Sequence, residues 1–600
     1  MLLEDGTTFT WEYISFAKAL DILSVDSPHF SFVLRSLHAV KKCTADDPWS
    51  LVVYFDETTP GNALRLDLVR KMMCVYMSIK DLGPRYLKHE AYWIPVAALR
   101  TSVMKKVPGQ WSALLTRLLR KLLLDAHESV RYGITIRCID AALYFKVGNL
   151  VADEDGFKQT WCSKGAAGTC PDFMTANLSG IGAKSIVRAG DNFIVDLSCT
   201  DLTRFHTLSD DEIWHKSDEI AAIVNNGERA QKEEAFGLNH VPEGLLQARD
   251  LRPHIEPNQV QTLDATHILF ANGLVHKELS LLVARMERAR PPLKMEQLDE
   301  YLQADWLCPR AGCHTSLMRM VFSKSRIRHF RDGKKKVSAF ASEMMSVIRP
   351  LCHLLESHSI RHQLPNEVNS FLKLGVVVTV LTRTKLGDAN LEDLDDAIKA
   401  HGDAFVHAYG SNSVTFKFYS LRRLAEQARR DGMVLYTFTC ERKHSLLKEA
   451  AMPIKNTRRF ERSVLARALT MHRDSLVEQR SGCINGTASE DIARQLGAIS
   501  CIASKSARFG GTLCGSGDLF FHGEQLLEVI CAFELIYTDN SHGFVVLVDS
   551  FEFVDIASAF ACRYKKLPGV QRLLPVDSNC SFRLSPHWCN EGRHHLVFNV

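Results

Sequence analysis

The chain has 600 residues, 46% of them hydrophobic and 24% charged, with 73 basic and 69 acidic side chains and a net charge of +4. That composition is globular and long enough for roughly three to five domains, and its near balance of charge confines any nucleic-acid surface to a local patch. No apolar run is long enough to span a bilayer, Met1-Leu2-Leu3-Glu4-Asp5-Gly6 has neither the basic flank nor the apolar core of a signal peptide, and the 17 scattered cysteines read as reduced thiols of a cytosolic or nuclear protein.

In chain order, residues 1–45 read as polar and helical, with Phe16, Leu20, Leu23, Phe32 and Leu37 as candidate core contacts. Strands are predicted at 51–55 and 92–99. Pro108-Gly109 then opens a helix whose Trp111, Leu114, Leu115, Leu118, Leu119 and Leu122 form one apolar stripe. A further strand covers 143–152, and strand, helix, strand in this order suits a mixed α/β sheet. Residues 205–480 are mostly of helical period, as at Asp210–Asn225, His267–Arg288, Ala339–Leu355 and Leu391–Tyr409. Mobile or disordered breaks, poor in core residues, are expected near 227–235 and 481–490, the stretch Arg480–Ser489 reading as a linker. Beyond 481, short strands at 519–521, 526–537 and 543–548 indicate a small β-rich domain.

Three acids follow apolar, strand-like runs. Leu51-Val52-Val53-Tyr54-Phe55 runs into Asp56, residues 143–152 run into Asp153, and Val434–Cys440 runs into Glu441. A carboxylate at the C-terminal end of a buried strand is fixed by the sheet yet exposed at its edge, where open α/β sheets bind ligands. Three converging carboxylates suit the oxygen-seeking Mg²⁺ ions of phosphoryl transfer. Glu441 is also readable as a surface acid at the start of a basic helix.

Other motifs add to this pattern. Asp153 is followed by Trp161, Lys164-Gly165 and Cys170-Pro171-Asp172-Phe173. Thr262-Leu263-Asp264-Ala265-Thr266-His267 opens a helix, where Asp264 is also a reasonable capping acid with His267 one turn on. Lys417–Leu421 and a basic helix lead to Cys440-Glu441-Arg442-Lys443-His444 and Lys448. The run Lys324, Arg326, Arg328, Arg331, Lys334, Lys335 and Lys336 neutralises phosphates without reading bases, or is a solvated loop or nuclear-import signal. Cys308 and Cys313-His314 lack a second ligand pair, and zinc is not expected.

In this order the segments resemble CACTA-like (DDE) cut-and-paste transposases over roughly residues 45–475. The resemblance implies a ribonuclease-H-like α/β core interrupted by a large α-helical insertion. Asp56, Asp153 and Glu441 become the catalytic, two-Mg²⁺-binding acids, and Asp264 and His267 the insertion motif. Arg442, Lys443 and Lys448 become phosphate contacts beside the basic run 324–336. The implied partner is DNA, with homo-oligomerisation compatible, no membrane association and a nuclear location. Phe173 stands where the family has its second cysteine, and no N-terminal zinc finger precedes Asp56; both departures point to a decaying copy. The alternative is therefore a catalytically inactive transposon-derived DNA-binding or scaffold protein. The expected divisions are a helical segment at 1–45, the first part of the core at 46–200, the helical insertion at 201–430, the return to the core at 431–480, and a β-rich domain at 481–600.

Overall fold

A computed structural model of the chain describes residues 1–60, 70–180, 194–303, 321–330, 336–385, 392–455, 458–477, 482–509, 512–522, 525–538, 542–576, 587–590 and 594–598. It combines an N-terminal mixed sheet with helices, a helical middle region and a C-terminal antiparallel β-rich sheet. Two compact units result, Met1–Ala265 with Ser411–Glu478, and Thr266–Gly410 with Gln479–Val600.

The first unit is built on five strands: β1 (Trp49–Thr58), β2 (Met72–Ile79), β3 (Ile94–Arg100), β4 (Phe145–Ala152) and β5 (Gln261–Leu263), in the spatial order β3-β2-β1-β4-β5. β1, β2 and β3 pair antiparallel, whereas β4 runs parallel to β1 and β5 parallel to β4. The predicted neighbours 51–55 and 143–152 thus lie side by side. Every residue of β2 is buried, as are Leu51–Phe55 of β1. Such continuous apolar runs mark a sheet covered on both faces.

On one face, Leu51, Val53, Phe55, Leu150 and Ala152 share a core with helices α1 (Phe16–Asp26), α2 (Pro28–Val40) and α3 (Gln110–Leu123). The whole predicted stripe of α3, from Trp111 to Leu122, is buried. Pro28 and the Ser27 cap, which accepts from the Phe30 N–H at 3.2 Å, fix the start of α2. After β4 comes α4 (Glu154–Trp161). The other face, with Val52, Tyr54 and Val151, packs against α6 (Phe438–Ala451) and α7 (Phe460–Val477), which follow α5 (Phe416–Asp431).

The β1/β4 pairing slips once. Leu51 stands opposite Val147, but Val52 stands opposite Asn149, and the new register holds to Tyr54 opposite Val151. Gly148 is the extra residue. A Cβ there would lie 2.8 Å from the Ser50 Cβ, so glycine lets the strands close over the bulge.

Several expectations need correction. Residues 227–235 lie in a helix, Asn226–Phe236, capped by Asn225 and closed by Gly237 at φ +70°; it buries no side chain, which is why its composition read as a break. Val434–Cys440 is no strand: the chain turns through Val434–Thr437 and becomes helical at Phe438. In the proposed linker, Gly482-Cys483 and Thr487-Ala488 each pair with a neighbouring strand, and Arg480 and Ser481 lie outside the described residues. Residues 201–265 group with the sheet of the first unit, because they supply β5.

In the second unit, helices Leu274–Met286, Ala341–Ser357, Pro365–Lys385 and Glu392–Tyr409 surround a buried polar trio. Ser370 Oγ donates to Glu278 Oε1 at 2.6 Å, and His401 Nε2 lies 2.7 Å from Glu278 Oε2. An eight-stranded antiparallel sheet contains the long strands Gln525–Ile536, His542–Ser558 and Ala561–Val576. No helix among the described residues is long and apolar enough to cross a membrane.

Candidate functional site

The registers of the parallel strands bring three acids level. Tyr54 lies opposite Val151, so two residues further along both strands Asp56 comes level with Asp153. Ala152 lies opposite Leu263, so one residue further Asp153 comes level with Asp264. Neighbouring strands are about 4.8 Å apart, and the three backbone positions therefore span about 10 Å along the sheet edge. Alternation sets the face. Tyr54 and Val151 point into the core shared with α6, and Asp56 and Asp153 lie two positions on, with Asp153 still extended at φ −72°, ψ 178°.

Each acid is held locally. Asp56, with 19% of its side chain exposed, sits inside β1, which continues past the predicted strand end to Thr58. Its Oδ2 accepts from the Tyr54 hydroxyl at 3.1 Å and its Oδ1 from the Glu57 N–H at 2.6 Å. Asp153 caps α4, its Oδ1 accepting from the Gly156 N–H at 2.6 Å. Asp264 is buried, with Oδ1 accepting from the Thr437 N–H at 3.3 Å and Oδ2 from the Thr437 hydroxyl.

Thr437 immediately precedes α6, and Glu441 stands in that helix's first turn, where the exposed N–H groups and the dipole favour a carboxylate. Carboxylate oxygens of Asp264 and Glu441 lie within 4.8 Å of each other. α6 is pinned to the sheet one turn further on. His444 Nδ1 lies 3.0 Å from the Tyr76 hydroxyl, and its Nε2 lies 3.5 Å from Asp56 Oδ2. Tyr54 stacks on Tyr76 with ring centres 6.1 Å apart.

These groups share one electrostatic environment. Burial, then the charges of Asp56, Cys440, Asp264 and Glu441, push the Tyr54 phenol well above its ordinary range. It therefore stays a hydroxyl donor to Asp56. Glu154, beside Asp153, is likewise pushed up by burial. Asp56, Asp153, Asp264 and Glu441 offer carboxylate oxygens, a donor type that suits a hard cation such as Mg²⁺, and His267 adds a ring nitrogen within 4.8 Å of ligand atoms of Asp264 and Glu441.

Of the expected acids Asp56, Asp153 and Glu441, the register brings Asp56 and Asp153 level on neighbouring strands, whereas Glu441 lies beside Asp264. Asp264, assigned to an insertion motif, instead directly follows a strand of the sheet; its legible signal was the Thr262-Leu263-Asp264 lead into a helix. His267 lies three residues on, in the short helix Ala265–Leu269. Phe173 is buried in the apolar core and Cys170 is buried with its thiol 3.4 Å from the Asp172 carbonyl, and Cys308, Cys313 and His314 lie outside the described residues.

The expected phosphate contacts divide. Arg442 and Lys448 are exposed, with Arg442 Nε 2.8 Å from Glu90. Lys443 is not on the surface: it is 1% exposed, its Nζ lies 2.7 Å from His472 Nδ1, and burial lowers its pKa to about 7. The helical period that exposes Arg442 turns the next residue inward. In the basic run, Lys324, Arg328 and Lys336 are exposed, Lys336 donating to Asn272 Oδ1 at 2.7 Å. Arg326 instead forks onto the buried Glu343 at 2.5 and 3.0 Å, and Arg331, Lys334 and Lys335 lie outside the described residues.

No known protein-family model matches the chain, and no curated protein matches it significantly.

Proposed function

We propose that the first unit is a ribonuclease-H-like core carrying out transposase-type DNA strand cleavage and transfer by Mg²⁺-dependent phosphoryl transfer. The observation that carries this reading is the acid row Asp56, Asp153, Asp264 at the ends of β1, β4 and β5, with Glu441 brought beside Asp264 from α6. The order β3-β2-β1-β4-β5, with three antiparallel strands and then two parallel to β1, is the arrangement expected of that core. The helical region between β5 and α5 occupies the place of an insertion before the last acid.

Asp56, Asp153 and Glu441 would hold the ions, with Asp264 as a fourth carboxylate. Bound Mg²⁺ supplies the positive charge that activates a water or a 3′ hydroxyl and steadies the leaving oxygen. The protein's own part is positional. Tyr54 and His444 hold Asp56, the α4 N-terminus holds Asp153, and Thr437 orients Asp264 at the entry to the Glu441 helix. Exposed Arg442, Lys448, Lys324 and Arg328 supply sequence-blind phosphate affinity in a nuclear, DNA-bound protein.

Nicking of supercoiled plasmid in Mg²⁺ tests the reading, alongside gel-shift affinity at fixed salt. Glu441→Gln keeps size and hydrogen bonding but removes the charge, so nicking should fall by about a hundredfold or more while DNA affinity stays within about twofold. Nicking by the variant at the parent's rate removes Glu441 from the mechanism. DNA binding without nicking by the parent itself favours the catalytically inactive, transposon-derived alternative.

A further inference from the structure

The opposite end of the same sheet is basic. Where β1 and β4 begin, a cavity of about 460 Å³ is lined by Lys80, Arg131, Lys146, His254 and Arg430, with Asp431 and Glu256 as its acids. Its volume lies within the range of small-molecule sites, about 300–1,000 Å³. Lys146 and Asp153 are seven residues apart on β4, which at about 3.3 Å per residue places the cavity about 23 Å from the acid row.

The charges in this cavity do not cancel. Asp431 is committed inward, 2.8 Å from both Lys80 Nζ and Arg430 Nη2, with Asn149 Nδ2 donating at 2.9 Å. Arg430 also donates to the Asn258 carbonyl at 2.6 Å and the Thr262 hydroxyl at 3.0 Å, which fixes it as part of the wall. Arg131 has no carboxylate partner among the described residues. It lies 2.6 Å from His254 Nε2, donates to the Tyr132 hydroxyl at 3.1 Å and stacks over that ring. Burial and then Arg131 lower the pKa of His254, so its imidazole accepts from the guanidinium and adds no charge. Lys146 is exposed and makes no ion pair among the described residues. Four cations therefore face two carboxylates, and one of those carboxylates is already shared by two of the cations.

We propose that this cavity binds a phosphate-bearing anion, gripped by the Arg131 fork and the point charges of Lys146 and Lys80. A guanidinium fork matches two phosphate oxygens at once, and ammonium groups need no fixed direction. A nucleic-acid backbone and a free polyphosphate present the same chemistry.

The test is calorimetric titration of the full chain with inorganic pyrophosphate in EDTA, where the acid row takes no part. Lys146→Glu, an exposed substitution, and Arg131→Gln should each weaken binding at least about tenfold, whereas Lys105→Glu, an exposed cation elsewhere, should not. Displacement of pyrophosphate by a single-stranded oligonucleotide assigns the site to a nucleic-acid backbone; retention assigns it to a free polyphosphate. Failure of the parent to bind pyrophosphate, or equal binding by parent, Lys146→Glu and Arg131→Gln, overturns the proposal whatever the nicking assay gives.

Discussion

The two ends of the five-stranded sheet are built from the same strands and do opposite electrostatic work. At the C-terminal ends of β1, β4 and β5, three acidic residues occupy level backbone positions, their carboxylates accepting from hydroxyls or backbone N–H groups. At the N-terminal ends of β1 and β4, Lys80, Arg131 and Lys146 line a cavity, and a carboxylate is buried as part of its wall. One end carries acidic residues on three neighbouring strands. The other spends its one buried acid internally and leaves cations facing outward. Under the two proposals above, the ends take ligands of opposite sign.

The largest effect on this comparison should come from Asp431. Burial pushes its carboxyl up, but the hydrogen bond and charge of Arg430 and the charge of Lys80 hold it below the usual carboxylate range. Asp431→Ala leaves two partly buried cations without their acid, at a cost of about 3–5 kcal/mol in urea unfolding. Breaking the basic end should leave the Mg²⁺ dependence of nicking proposed for the acid end unchanged in whatever protein stays folded.

A second, smaller effect sits under the acid helix. Lys443 has a pKa of about 7 in the folded protein, against about 10.4 when unfolded. Between those values the unfolded chain binds more protons, so this residue's contribution makes stability rise with pH from about 7 to about 10, and its penalty is full below 7. Lys443→Met removes that slope. The stability difference between parent and variant should change by about 2 kcal/mol or more across this window, measured by urea unfolding at several pH values. A parallel pair of pH profiles would place Lys443 in contact with water.

The smallest expected effect separates charge from capping at Asp153. Asp153→Ala loses the cap of α4 and should cost about 1 kcal/mol, whereas Asp153→Asn keeps a capping oxygen and should cost only a few tenths. Both variants should lose Mg²⁺-dependent nicking. Equal stability losses would mean that the α4 cap contributes little.

Much of this arrangement was legible in the sequence, for reasons particular to each element. The run 51–55 is a buried, continuously apolar strand, the strand Phe145–Ala152 buries its last four residues, and α3 carries an unbroken helical stripe. β5 was illegible because Gln261-Thr262-Leu263 is three residues long, two of them polar, with no run to detect. The aromatic stretch before Glu441 looked like a strand because Val434, Leu435 and Cys440 are buried, yet they reach the core from a turn and a helix start. Lys443 was misread because adjacent basic residues suggest one surface, while a helix turns them about 100° apart. The basic cavity was invisible because its five basic residues come from five separated stretches of chain, from Lys80 to Arg430.

The slip at Gly148 acts as a phase setter. Counted straight from the Leu51–Val147 pair, Asp56 would fall level with Ala152, whose side chain faces the α3 side, and Asp153 would meet Glu57. A single extra residue restores parity, so both acids arrive at the same rung and on the same side of the ladder. Two acidic residues about a hundred positions apart in the chain thus owe their shared rung to one residue that has no side chain.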